Sequence, residues 1–247
     1  MSAKPGPAGD HAYRIAALAK GLQILSLFSD RRPALRLAEI VDSLDIPMPT
    51  VFRLVATLVG EGYLERLPGG AVRPGIAVLT LGFSALHGLD LVTASRVTLG
   101  RLAADTKQTV SLGVLAGDHI LFVARHASGA LMSTNVTVGS RLPAVASSLG
   151  KVLLAYRPGP TLLASGVELD EPLRRQFDRV RADGFAIQDE ELAPGLRSIA
   201  GPIRRSGDVV AAANISVSSA QFSVEELVSA LAPPLLEACA DVSQRLG

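Results

Sequence analysis

At 247 residues the chain exceeds the usual size of one domain, and 48% hydrophobic against 19% charged residues supplies a sizeable core, which excludes a disordered or highly charged protein. Cys239 is the only cysteine, which excludes an intrachain disulfide framework and a thiolate metal cluster and fits a reducing, cytoplasmic setting. Net charge is +1, with eight Lys/Arg against six Asp/Glu between His11 and Gly75; that surplus of +2 leaves −1 for the remainder, the right sign for a nucleic-acid-binding N-terminal part but too small to establish one.

Residues 1–12 hold Pro5, Gly6, Pro7 and Gly9 without a long apolar segment and read as a flexible tail rather than a signal peptide. No run approaches the roughly 18 uninterrupted apolar residues of a membrane span. From Ile15 to Phe28, Ile15, Leu18, Leu22, Leu25 and Phe28 recur in steps of three or four and predict a helix with one apolar stripe, closed by Ser29, Asp30 and Pro33. Leu37, Ile40, Val41 and Leu44 predict a second, short helix. Asp45 suits its close, because Asp tolerates unusual backbone angles, and Ile46 suits a plug between helices.

Pro49 fits the first turn of a third helix, where a missing N–H costs nothing. Val51, Leu54, Val55 and Leu58 form its buried face, and Gly60 or Gly62 ends it. Two short helices across a tight turn, with another packed beneath, offer one exposed helix to a DNA major groove. The DNA-facing candidates are Met48, Pro49, Thr50, Arg53 and Thr57. Arg53 suits phosphate or guanine, Thr50 phosphate or a thymine methyl, and Met48 an apolar contact; a plain solvated charge is the other reading of Arg53. Tyr63–Leu67 and Ala71–Arg73, reversed at Pro68-Gly69-Gly70, predict a β-ribbon, a wing that would bring Arg66 and Arg73 toward the DNA backbone or minor groove.

Residues 13–75 thus read as a winged helix-turn-helix. Residues 76–90, with Ile76, Leu79, Leu81, Phe83 and Leu86, read as a helical connector more apolar than a solvent-exposed linker needs. In residues 91–247, a helix from Leu91 to about Thr106 precedes strands at Thr109–Leu115 and His119–Ala127 around Ala116-Gly117-Asp118, then a third at about Leu131–Val136. Ala144–Leu154 and Leu173–Val180 read as helices, and Leu196–Ile203 and Val209–Val217 as strands. Ser223 and Glu226 form a capping box for a last helix that Pro233-Pro234 is expected to break or bend. Hairpin strands with helices segregated around them predict an α+β domain with a mainly antiparallel sheet.

Leu18–Leu25, Leu37–Ile40, Pro47–Leu54 and Glu61–Leu64 resemble the DNA-binding domain of the IclR family of bacterial regulators. Gly139–Ala144, Leu149–Ala155 and Asp189–Ala200 are similar to the effector-domain motifs of the same family, so the resemblance runs from about Tyr13 to the end. It implies a GAF-like C-terminal domain with a ligand cavity against the sheet, and assembly into homodimers or homotetramers that match two-fold DNA half-sites. It extends to the branch that senses hydroxybenzoate-like and protocatechuate-like compounds, which makes a small organic acid the expected effector, with aromatic acids the candidates this branch suggests. Asp45 where the family usually has Gly, Met48-Pro49 where it commonly has polar or basic residues, and Val145 where it often has Tyr mean that neither operator nor ligand transfers unchanged.

Gly139, Ser140 and Arg141, in a loop entering a helix at Ala144, together with Ser147 and Ser148 in its first turns, suit an anion. Arg141 is the candidate counter-charge, or else a structural clamp. Asn214 and Ser216 share one face of a strand and either bond a ligand or form the wet face of the sheet. Asp189-Glu190-Glu191 with Gly195 and Arg197 is another rim. His119 and His126 lack metal-ligand spacing, and no metal or other cofactor is expected. Two alternatives stay open: Asp105, His119 and Ser148 as a hydrolytic triad, although Ser, His and Asp can be picked from any chain this long, and a structural adaptor that binds no DNA.

Overall fold

The computed structural model describes residues 15–29, 32–87, 90–127, 136–158 and 169–247. Contacts divide the chain into Met1–Ala85 and Leu86–Gly247. The expected tail, 1–12, lies outside the described residues.

In the first unit, α1 (Ala16–Leu25), α2 (Leu37–Leu44) and α3 (Met48–Gly60) precede a hairpin of β1 (Leu64–Arg66) and β2 (Val72–Pro74), and α4 (Ile76–His87) follows. Asp45 closes α2 with φ 50°, the left-handed conformation that Asp adopts more readily than most residues, and its N–H donates to the Val41 carbonyl at 2.9 Å. The chain thereby turns sharply and sends Ile46, 4% exposed, into the core with Ile24, Leu35, Ile40, Val51, Val55, Leu64 and Val72. Pro49 lies in the first turn of α3. Gly69 and Gly70, both at φ 84°, close the hairpin. A three-residue ribbon is marginal alone; here Leu35 and Val72 exchange backbone hydrogen bonds of 2.9 and 2.8 Å, tying it to the segment before α2.

The α1 stripe is corrected. Ile15, Leu18 and Leu22 are 67%, 59% and 55% exposed, whereas Gly21 and Ile24 are buried and Leu25 and Phe28 only pack at the core's margin. Both faces of α1 are apolar, so periodicity alone could not choose between them.

The second unit is one six-stranded antiparallel sheet between two helical layers. Its elements are α5 (Asp90–Thr106), β3 (Thr109–Ala116), β4 (His119–His126), β5 (Arg141–Pro143), α6 (Ser148–Ala155), α7 (Glu171–Asp183), β6 (Ala186–Asp189), β7 (Leu196–Arg205), β8 (Asp208–Ser218) and α8 (Val224–Leu246). Strand order is β5-β4-β3-β8-β7-β6: hairpins β3–β4 and β7–β8 meet where β3 pairs with β8, Ser111 opposite Asn214. Side chains alternate across this centre. Val110, Leu112, Ala213, Ile215 and Val217 pack against α5 and α8, and Ala200 and Ala212 against α6 and α7.

Four expectations change here. The helix expected from Ala144 begins at Ser148, because the Ser147 hydroxyl caps it by accepting from the Gly150 N–H at 3.0 Å. Arg141, expected in a loop, lies on edge strand β5, where three residues pair with β4. Of the strand expected at Leu131–Val136, residues 131–135 lie outside the described residues and Val136 is not in a strand; β6 was not foreseen. Finally, α8 runs unbroken through Pro233 and Pro234, since Leu231, Ala232 and Leu235 on either side are buried against the sheet and their packing offsets the lost amide bonds.

Candidate functional site

One candidate surface lies on α3 and the hairpin. Burying Val51 and Val55 turns Phe52 and Arg53 outward, and Phe52 is 53% and Met48 44% exposed. The Arg53 guanidinium has no partner among the described residues, while Thr57 returns its hydroxyl to the Arg53 carbonyl at 3.0 Å. Pro49 is exposed and Thr50 half-buried. On β1, the Arg66 guanidinium lies 5.9 Å from the Phe52 ring centroid, within cation–π range, linking ribbon and helix. Arg73 instead places two hydrogen bonds, 3.0 and 2.9 Å, on Glu65 across the ribbon. Its charge is therefore matched locally. Phe52 was not among the sequence candidates, because an apolar ring carries no sign of DNA contact until Arg66 is seen beside it.

The second candidate is a cavity of about 30 Å³, room for a water or two, between the sheet and α6. The strands contribute Phe122, Arg125, Leu196, Ser198, Asn214 and Ser216, and the start of α6 contributes Ser147, Ser148 and Leu149. Val136, Leu142 and Leu192 complete the described wall. Four expected residues, Ser147, Ser148, Asn214 and Ser216, thus come together. The approach of Ala144 explains the Leu149-Gly150-Lys151 sequence, since a Cβ on Gly150 would lie 2.0 Å from the Ala144 carbonyl oxygen.

Asn214 is not on a wet face. It is 6% exposed, donates to Ser216 Oγ at 3.3 Å, and its Oδ1 accepts nothing; the Ser111 hydroxyl opposite is equally unpartnered. An unpaired buried acceptor costs about 1–3 kcal/mol, so a donor arriving in the cavity gains that much. Ser148 and Ser198 share a 2.7 Å hydrogen bond.

The cation of this cavity is Arg125, which sequence reading missed. It sits near the end of β4, half-buried, without a partner among the described residues, and burial lowers its pKa. Only the strand order shows that it faces Asn214 and Ser148 rather than solvent. Arg141, the expected counter-charge, is exposed and donates to the Ala116 carbonyl at 3.3 Å, the clamp reading of that residue. Gly139, Ser140 and Ala144 are outside the described wall, although Ala144 lies just beneath it against Gly150.

The Asp105–His119–Ser148 combination is not assembled, since His119 Nδ1 bonds Asp118 at 2.6 Å and Ser148 bonds Ser198. His126, with burial lowering its pKa, has an unpartnered Nε2, and among the described residues no cluster of three His, Cys, Asp or Glu could hold a metal. The buried Cys239 thiol is pushed up to about 12 and is unreactive.

Two family descriptions match the chain, "IclR helix-turn-helix domain" over residues 17–68 and "Bacterial transcriptional regulator IclR C-terminal" over residues 83–244. The Pca regulon regulatory protein of Pseudomonas putida is 33% identical over 94% of this chain and 84% of its own. A crystal structure of an IclR family transcriptional regulator from Brucella abortus is 25% identical, covers 98% of this chain and 97% of its own, and superposes with a TM-score of 0.84. An IclR homolog from Microbacterium hydrocarbonoxydans, solved with 4-hydroxybenzoate, is 28% identical, with coverages of 94% and 99% and a TM-score of 0.77.

Proposed function

This chain belongs to the IclR family of bacterial transcriptional regulators, and from that membership we propose that a small organic acid bound in the Arg125 cavity controls how its helix-turn-helix engages an operator. The chain is a DNA-binding regulator with an effector-binding C-terminal domain. The acid and its site are our reading, carried by the Arg125 guanidinium, which has no partner among the described residues, in a cavity of serines. A half-buried cation without a counter-charge gains most from a carboxylate, and a charge-assisted bond there is worth about 1.5–3 kcal/mol. Unpaired Asn214 Oδ1 asks in addition for a donor such as a hydroxyl. Aromatic hydroxy acids carry both groups, and 4-hydroxybenzoate is the compound bound by the Microbacterium homolog.

On the DNA side, Arg53 would read a base edge or phosphate, with Met48, Pro49, Thr50 and Thr57 around it and Arg66 on the wing beside Phe52. Arg73, already paired with Glu65, would contribute less. Homodimers or homotetramers are supported by apolar side chains left outside: Ile15, Leu18 and Leu22 on α1, and Ile76, Leu79 and Leu81 on α4, each more than half exposed. Leu18→Glu with Leu22→Glu should shift the sedimenting species toward monomer. No helix among the described residues is long and apolar enough to cross a membrane, and we place the protein in the cytoplasm with its DNA.

A thermal-shift screen of aromatic and short aliphatic acids, 4-hydroxybenzoate included, tests the effector reading. Stabilisation by a hydroxy acid, lost in Arg125→Met, is expected. Indifference of the wild type to every acid would sink it.

A further inference from the structure

Lys151 is 1% exposed, a burial that lysine almost never reaches without a partner. It sits within α6, between Gly150 and Val152, inside the core between sheet and helices. Its ammonium donates to the Ile187 carbonyl at 3.0 Å and to Glu191 Oε1 at 2.5 Å, and the Glu191 side chain is 42% exposed. Nothing in the regulatory reading uses this pair.

One acceptor, Ile187, lies on β6, and the other, Glu191, on the segment that follows it. Residues 190–195 join β6 to β7, and this strap carries Leu192 into the cavity wall beside Leu196. Each end is fastened. Glu190, held at φ 56°, accepts from the Gly195 N–H at 2.7 Å, and Arg197 pairs with Asp189 at 2.5 Å. In the amide orientation that gives each donor an acceptor, Gln188 accepts from the N–H groups of Glu190, Glu191 and Leu192 at 3.1, 2.8 and 3.1 Å. The Gln188 amide also lies 3.3 Å from Ser198 Oγ, which bonds Ser148 in the cavity. A continuous polar path therefore runs from the cavity hydroxyls through Gln188 to the strap, and a buried ammonium holds the strap's middle.

We propose that Lys151 is a positioning residue of the effector cavity: by latching Glu191 it holds the 190–195 strap shut, with Leu192 as the closing side chain. A cavity of about 30 Å³ is too small for a benzoate ring. Entry of an acid needs part of the wall to move, and the strap is the wall segment whose tie to α6 is a partly exposed carboxylate, Glu191. The path through Ser198 and Gln188 lets an acid at Ser148 alter the strap's own hydrogen bonds. That role rests on the effector reading, whereas the latch itself does not.

Amide hydrogen exchange of the full-length protein tests it, comparing wild type, Lys151→Met and Glu191→Ala, with a melting curve for each. Glu191 is partly exposed and its replacement should fold, which covers the case that Lys151→Met does not. Exchange at residues 190–195 should quicken on the order of ten-fold in each variant, the double variant should add nothing further, and exchange in β8 should stay unchanged. Unchanged strap exchange in folded Glu191→Ala, or a rise spread equally over the sheet, would overturn the latch. With 4-hydroxybenzoate as probe, release should quicken in the same variants. If the strap responds but the wild type binds neither this probe nor any acid of the screen, the effector reading has failed and the latch has not.

Discussion

Arg53 on α3 and Arg125 on β4 are both guanidiniums without a partner among the described residues, and they differ in what surrounds them. Arg53 stands in solvent on a helix whose other face is buried, so a water-exposed charge waits for a large polyanion at little cost. Arg125 is half-buried with burial opposing its charge, beside buried serines and an Asn214 oxygen that accepts nothing. An open site of the first kind suits a long, water-exposed phosphate backbone. A closed one of the second kind suits a small ligand that replaces water completely and is therefore chosen by its functional groups.

This contrast is open to attack, the largest effect first. Gly150→Ala forces a methyl against the Ala144 carbonyl and should destabilise Leu86–Gly247 by about 3 kcal/mol. In urea unfolding the transition of that unit should move while that of Met1–Ala85 stays, and a joint shift would argue against separate units. Arg53→Ala should weaken binding to a selected operator by about 1–3 kcal/mol and flatten its salt dependence, leaving the melting temperature and acid binding unchanged. Retained affinity would make Arg53 a solvated charge.

The smallest effect concerns pH. Asp241 on α8 accepts from Thr98 on α5 at 2.5 Å; that bond first, and Arg245 second, hold its carboxyl below the usual carboxylate value. A depressed folded pKa contributes stability above the unfolded value of about 3.9 and loses it as pH falls through the folded value. Thr98→Val should therefore melt slightly below wild type at pH 7 and converge with it in acid. A gap that persists at pH 2 would assign the effect to packing instead.

The two units were not equally legible in the sequence. Around α3 the signals are local: Asp45 at the turn, Pro49 in the first turn, Val51 and Val55 four apart. These are enough to put Arg53 outside. What failed there was α1, whose exposed and buried faces both carry apolar residues, and the contact between Phe52 and Arg66, since the pairing of helix with ribbon is not a local signal. In Leu86–Gly247, Asn214 and Ser216 could be placed on one face from alternation, and Ser147 with Ser148 at a helix start. Joining them to Arg125 required β3 to pair with β8 across about a hundred intervening residues, which periodicity does not contain. Arg141 looked the better cation because it sits near Ser147 in the sequence, whereas β5 holds it on the sheet's outer edge.

The central claim, that an acid at Arg125 governs DNA binding by the helix-turn-helix, is tested most directly by titrating a selected operator with wild type and Arg125→Met, each with and without saturating 4-hydroxybenzoate. The wild type should change its operator affinity on adding the acid by roughly five-fold or more, the range of ordinary allosteric coupling, and Arg125→Met should bind the operator but ignore the acid. An acid response of equal size in both proteins would contradict the account.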